Sequence, residues 1–155
     1  DANYRRSLYT FWKRTSAPPN LTIFDAPSRE STCVRRERTN TPMQALALLN
    51  DPQYVEFSRG FARRILAEGG DSDSSKLRFA LLCLTSRAPD PSETDVLLGL
   101  LQNAREHFRQ DPEGAAALLR VGATPLMAPE NPAEIAAWTI LASTLFSLDE
   151  VITRG

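Results

Sequence analysis

Thr41-Pro42-Met43-Gln44-Ala45-Leu46-Ala47-Leu48-Leu49-Asn50-Asp51-Pro52-Gln53-Tyr54-Val55 starts two helices within fifteen residues. Each start sets an oxygen-bearing side chain before a proline. Such an oxygen accepts hydrogen bonds from the first unpaired helix amides. Proline fits the first helical position because its missing N–H would have no partner there. The same pair recurs at Asp90-Pro91, Asp111-Pro112 and Asn131-Pro132. Five such pairs at irregular spacing predict helix starts, not a sequence repeat.

The segments between them carry helical periodicity. Pro42 to Leu49 is short and apolar. Pro52 to Glu68 places Tyr54, Phe57, Phe61 and Ile65 on one stripe and Glu56, Arg59 and Arg63 on another, and Gly69-Gly70 ends it. Ser74 to Ser86 is apolar through Leu77, Ala80, Leu81 and Leu84, with Asp71-Ser72-Asp73 before it as linker and cap. Pro91 to Gln110 turns Leu97, Leu100, Leu101, Ala104 and Phe108 inward, and Pro112 to Arg120 is weaker and Ala-rich. Pro132 to about Thr153 is apolar nearly all round, the pattern of a helix covered by its neighbours.

Residues 1–40 have a different texture. Arg5 to Trp12 has β-formers in partial alternation and reads as a short strand, with a helical turn as the alternative. Ala17-Pro18-Pro19-Asn20 is expected to break any regular element. Phe24 to Glu30 reads as a turn-rich loop, and Thr32 to Arg36 as a second short strand. This end carries eight bases against four acids, whereas residues 111–155 carry two against six. Internal compensation between the two ends is the simpler reading of that asymmetry. The chain opens Asp1-Ala2-Asn3-Tyr4 without Met or signal peptide, so the sequence reads as part of a longer polypeptide.

Composition bounds the function classes. The 155 residues are 42% hydrophobic and 24% charged, typical of a folded globular chain. The net charge of -1 gives no reason to expect nucleic acid or an anionic membrane. The longest apolar stretch falls short of the roughly 20 residues a membrane span needs. Sixteen of the eighteen basic residues are arginine, which suits bidentate pairing with carboxylates. The single histidine, His107, lies in a charged helix and reads as a surface residue. One histidine and no Cys-x-x-Cys leave no zinc site, redox motif or c-type haem attachment. Asp71-Ser72-Asp73-Ser74-Ser75 begins like a calcium loop but has Lys76 and Leu82 where Gly and Glu are needed. No Gly-rich phosphate loop is present, and no cofactor or metal is implied. Cys33 and Cys83 read as two free thiols, Cys83 within an apolar helix where thiols are commonly buried.

The densest polar cluster is Arg35-Arg36-Glu37-Arg38-Thr39-Asn40, just before a helix start. With Asp25, Arg29 and Glu30 it forms a candidate polar or anion-binding site. Two readings stand. The cluster pins the irregular segment onto the helices through Arg–carboxylate pairs. Alternatively Asp25, Glu30 or Glu37 acts as acid or base while Arg29, Arg35, Arg36 and Arg38 orient an anionic glycan, chemistry that needs two carboxyls at roughly 5–9.5 Å. Tyr4, Tyr9, Phe11 and Trp12, set among Arg5, Arg6, Lys13 and Arg14, read as the core of this segment. Binding of single-stranded nucleic acid or a sugar is the alternative for that stretch.

Arg5-Arg6-Ser7-Leu8-Tyr9-Thr10-Phe11-Trp12-Lys13-Arg14-Thr15, then Phe24-Asp25-Ala26-Pro27-Ser28-Arg29-Glu30, then Arg35 to Leu46 and Leu48-Leu49-Asn50-Asp51-Pro52 form a long ordered string. That string resembles the C-terminal part of a planctomycete-type family, domain of unknown function 1553. Asn131-Pro132-Ala133-Glu134-Ile135-Ala136-Ala137-Trp138 and Leu148-Asp149-Glu150 resemble the family's C-terminal signature. Residues 70–125 match in character only, with Arg87-Ala88-Pro89 where the family tends toward Arg-Pro-Pro. The resemblance implies a large exported bacterial protein in the periplasm or cell envelope. It also implies neighbouring domains in the same chain, in some members a cytochrome c-like or lectin-like module, and a link to polysaccharide use. It supplies no catalytic residues.

The sequence thus predicts a mainly α fold, a bundle of about five to six helices over residues 41–155 with an irregular strap over 1–40 that has room for short strands. The two form one domain or subdomain of a longer protein. The expected function is a non-catalytic packing or interaction domain whose partners are the remaining domains of its polypeptide, without nucleic acid and without direct membrane insertion. The alternative is a subdomain of an envelope enzyme acting on an anionic polysaccharide.

Overall fold

The computed structural model describes residues 7–13, 15–28, 30–35, 37, 39–124, 126 and 131–153. Among them lie eight α-helices: α1 (Pro19–Ile23), α2 (Pro42–Asn50), α3 (Pro52–Glu68), α4 (Asp73–Thr85), α5 (Pro91–Gln110), α6 (Pro112–Arg120), α7 (Pro132–Phe146) and α8 (Asp149–Ile152). All five residue-before-proline caps start a helix. Thr41 Oγ1 accepts from the Gln44 amide at 3.3 Å, Asp51 from Gln53 at 2.8 Å and Asp90 from Glu93 at 2.8 Å. Asp111 accepts from Gly114 at 2.8 Å and Asn131 from Glu134 at 3.2 Å. Ser72 adds a sixth cap, on α4. At α2 and α5 the third residue reciprocates: Gln44 Oε1 accepts from the Thr41 amide and Glu93 Oε2 from the Asp90 amide. Each cap of this kind stabilises its helix by about 1 kcal/mol.

The core forms around α7. This helix touches α2, α3, α4, α5, α6 and α8. Ala136, Ala137, Trp138, Leu141, Ala142 and Leu145 are fully buried in it. Its polar residues are accommodated without leaving the interior. Thr139 and Thr144 donate back to the carbonyls of Ile135 and Ile140, and Ser143 donates to the α2 carbonyl of Leu48. The long helices α3 and α5 supply Ala62, Ile65, Leu97, Leu101 and Phe108 to the same core, and Phe61 stacks on Phe146 at 5.6 Å.

Five expectations are corrected. Tyr9 and Phe11 are 70% and 84% exposed and are not the core of their segment, Trp12 is half-buried, and Tyr4 lies outside the described residues. No strand occurs among the described residues: Ser7–Tyr9 is a single 3-10 turn, Thr32 to Arg35 is bent or irregular, and pairing is limited to one Lys13–Ser16 bridge. A lone β-forming segment has no partner to pair with, which leaves β-propensity without effect. Pro18-Pro19 does not break structure but starts α1, with Pro19 at the tolerated first position. The last helix does not run on to Thr153. Leu148 is extended (φ -65°, ψ 138°), and α8 begins afresh after it. Finally, Cys83 lies on the outer face of α4; both cysteines are exposed free thiols.

Candidate functional site

The predicted polar cluster begins at the end of α1. The Ala26 amide donates to Leu21 O at 2.9 Å and the Asp25 amide to Thr22 O at 3.2 Å. This double closure of a helix end requires a left-handed residue, and Asp25 takes that place with φ 58°. Aspartate tolerates the conformation better than most residues. The bend aims the Asp25 carboxylate at the chain just before α2. There the Thr39 amide donates to Oδ2 at 2.8 Å, the Thr39 hydroxyl reaches Oδ1 and Oδ2 at 2.9 and 2.8 Å, and Gln44 Nε2 lies 3.4 Å from Oδ2.

Gln44, only 1% exposed, is the centre of this knot. Its Nε2 donates to Ile23 O at 2.9 Å and to Thr39 Oγ1 at 3.0 Å, while its Oε1 caps α2. The strap, the α1 end and the α2 start are therefore locked through one side chain. Asn40 adds a second tie, its Nδ2 donating to Asp149 Oδ1 of α8 at 2.8 Å. Asn20 adds a third, to the Asp51 cap at 3.3 Å.

Of the predicted site residues, Asp25, Arg35 and Glu37 line one pocket of about 470 Å³, together with Ser31 and Thr32. Arg35 and Glu37 are exposed, as is Glu30, which lies outside that lining. Asn40 is spent on Asp149. Arg29, Arg36 and Arg38 lie outside the described residues. Both oxygens of Asp25 already accept hydrogen bonds, and a carboxylate so occupied is poorly placed to take a proton from a substrate. His107 is exposed on α5, edge-on to Phe108. Among the described residues no group of three or more His, Cys, Asp or Glu is arranged to hold a metal ion, and no helix is long and apolar enough to cross a membrane.

The sequence reading missed the buried charged pair. Glu56 and Arg59, assigned to a polar stripe of α3, are 8% and 3% exposed. The Arg59 guanidinium donates to the carbonyls of Leu119, Val121 and Thr124 at 2.9, 2.6 and 2.6 Å, capping the end of α6. The Glu56 carboxylate accepts from the amides of Ala123 and Thr124 at 2.8 and 3.0 Å. The pair thus satisfies both signs of orphaned backbone in the 121–124 turn, which explains how two charges stay buried. The available signal was Glu and Arg one turn apart on a helix, a spacing too common to be diagnostic.

Two further arginines fasten the bundle. Arg105 of α5 forks onto Asp73 of α4 and Glu134 of α7 at 2.5–2.8 Å. Glu134 also accepts from Trp138 Nε1 at 2.8 Å. Hydrogen bonding from Arg105 holds the Asp73 carboxyl below its usual range. Burial pushes Glu134 up, but the bonds from Arg105 and Trp138 outweigh it and leave that carboxyl lowered. Arg87, after α4, forks in the same way onto Glu93 of α5 and Glu150 of α8.

Residues 1–101 match the PSD1 family of proteins of unknown function (DUF1553). The chain belongs to that family. The match covers the strap and the helices through about the first half of α5; the resemblance noted at 131–138 and 148–150 falls beyond it. No curated protein and no solved structure matches the chain significantly.

Proposed function

We propose that this DUF1553 chain is a non-catalytic helical packing domain, the C-terminal part of its family's domain in a longer, exported bacterial protein of the planctomycete type. The observation that supports it best is the outer face of α2. Met43, Leu46 and Leu49 are 58%, 56% and 49% exposed there, one turn apart, so they form a continuous apolar stripe. Leu8, Tyr9 and Phe11 of the strap are exposed as well, Phe11 at 84%. A stripe of this kind marks an interaction surface more often than free solvent contact. Its natural cover is a neighbouring domain of the same polypeptide. The exported setting and the planctomycete type are supported by the ordered string of residues quoted above.

Sedimentation and thermal melting, with and without the flanking parts of the natural polypeptide, test the reading. We expect the 155-residue chain to self-associate, and replacing Met43, Leu46 and Leu49 together by Ser to reduce that association without lowering the melting temperature. Restoring the flanking sequence protects α2 from solvent exchange. An isolated chain that stays monomeric, with α2 equally exposed in the longer protein, sinks the proposal.

The enzyme alternative has one observation in its favour, the shared pocket of Asp25, Arg35 and Glu37. A Glu37→Gln variant of the whole protein that loses glycan turnover while melting normally supports that alternative.

A further inference from the structure

Five elements converge on a second, apolar pocket of about 330 Å³. Phe24, following α1, faces it together with Tyr54 and Phe57 of α3, Phe146 of α7, and Val151 and Ile152 of α8. Buried Leu48 of α2 completes the lining, and the other six are half-buried. The rings are mutually fixed: Phe24 meets Tyr54 edge-on at 5.6 Å, and Tyr54 meets Phe57 at 6.0 Å. Tyr54 contributes the one polar side-chain group of this lining. No other described residue bonds its hydroxyl, which is not shut away from solvent and so stands open to a ligand's acceptor. Burial, and then the nearby Asp51 carboxylate, push Tyr54 above the usual phenol range, so the hydroxyl keeps its proton and remains a donor.

The geometry points to a binding site for a small aromatic or cyclic apolar molecule carrying one hydrogen-bond acceptor, with the rings holding its body and the Tyr54 hydroxyl donating to the acceptor. The volume lies at the lower end of the range for small-molecule sites and suits a ring, not a helix. Lining residues from five elements set it apart from the stripe Met43–Leu46–Leu49, which lies on α2 alone. This site is independent of the packing reading above, and either can fail alone.

Fluorine NMR of para-fluoroacetophenone, titrated with the natural full-length protein, tests it. The probe has an aromatic body and one carbonyl acceptor. Saturable broadening is expected. Tyr54→Phe keeps the ring and removes the donor, and weakens binding about two- to tenfold, the range of one hydrogen bond. para-Fluoroethylbenzene, which lacks the carbonyl, binds wild type and Tyr54→Phe equally. Ile152→Trp fills the pocket from the α8 wall, outside the main core, and abolishes binding at an unchanged melting temperature; Val151→Phe serves if that variant folds poorly. The absence of saturable binding overturns the site, including the case in which another segment of the protein already fills it. Binding left unchanged by Tyr54→Phe and by the filling variants places the probe elsewhere and overturns it equally.

Discussion

At the scale of single residues, the fold depends on a few polar groups fixed by short hydrogen bonds. Gly122 has φ +99°, and a Cβ there would lie 2.5 Å from Glu56 Oε2. Gly122→Ala therefore combines a strained backbone with a collision against a buried carboxylate. We expect a loss of at least about 2 kcal/mol in urea denaturation, toward the upper part of the range for strained positions. Arg105 gives a test with a pH signature. Its partners Asp73 and Glu134 have lowered folded-state values, so they bind fewer protons folded than unfolded at mildly acid pH. Their contribution is complete above about pH 5 and is lost as pH falls through the depressed values. Arg105→Ala should cost about 2–3 kcal/mol at neutral pH, below the figure for a fully buried pair because the carboxylates keep some solvent. It should also flatten the acid limb of stability against pH. An unchanged acid limb would remove the clasp from the account.

At the scale of elements, each helix start is a side chain acting on backbone amides, and the starts differ in how much else they hold. Asp111 caps α6 alone, so Asp111→Ala should cost about 1 kcal/mol. Asp51 caps α3, follows α2 directly and accepts from Asn20 of α1. Asp51→Ala should cost nearer 2 kcal/mol, at the high end for caps. Equal losses in chemical denaturation would show that the Asn20 tie adds nothing. These starts were legible because cap and proline are adjacent in sequence and act locally. Pro52–Glu68, Pro91–Gln110 and Pro112–Arg120 are bounded as read. What was not legible depends on partners distant in sequence. The burial of Glu56 and Arg59 is decided by a turn more than sixty residues away, and α8, which restarts after Leu148, is tied to the distant Asn40 and Arg87. The role of Asp25 likewise rests on Thr39 and Gln44, fourteen and nineteen positions on. Its presence in a polar cluster could be read, but not its commitment to folding the strap.

At the scale of the whole molecule, the strap and the bundle are joined by polar ties at both ends of the chain. Asn40 to Asp149 links the basic N-terminal region to the acidic C-terminal one. The interior is another matter, since α3, α5 and α6 meet chiefly at α7, while α2 and α4 pack on their sequence neighbours as well as on it. A chain ending before Pro132 should retain helical circular dichroism yet unfold without a cooperative transition, because each remaining helix keeps an apolar face and loses the surface that covered it. A sharp two-state melt from that truncated chain would contradict a core centred on α7. The same placement has a bearing on biosynthesis. The hub is encoded after the helices that surround it, so during translation α2 to α6 leave the ribosome before their common centre exists. At ordinary elongation rates of about 5–20 residues per second, that interval lasts several seconds. Through it the nascent chain exposes the apolar faces that chaperones recognise.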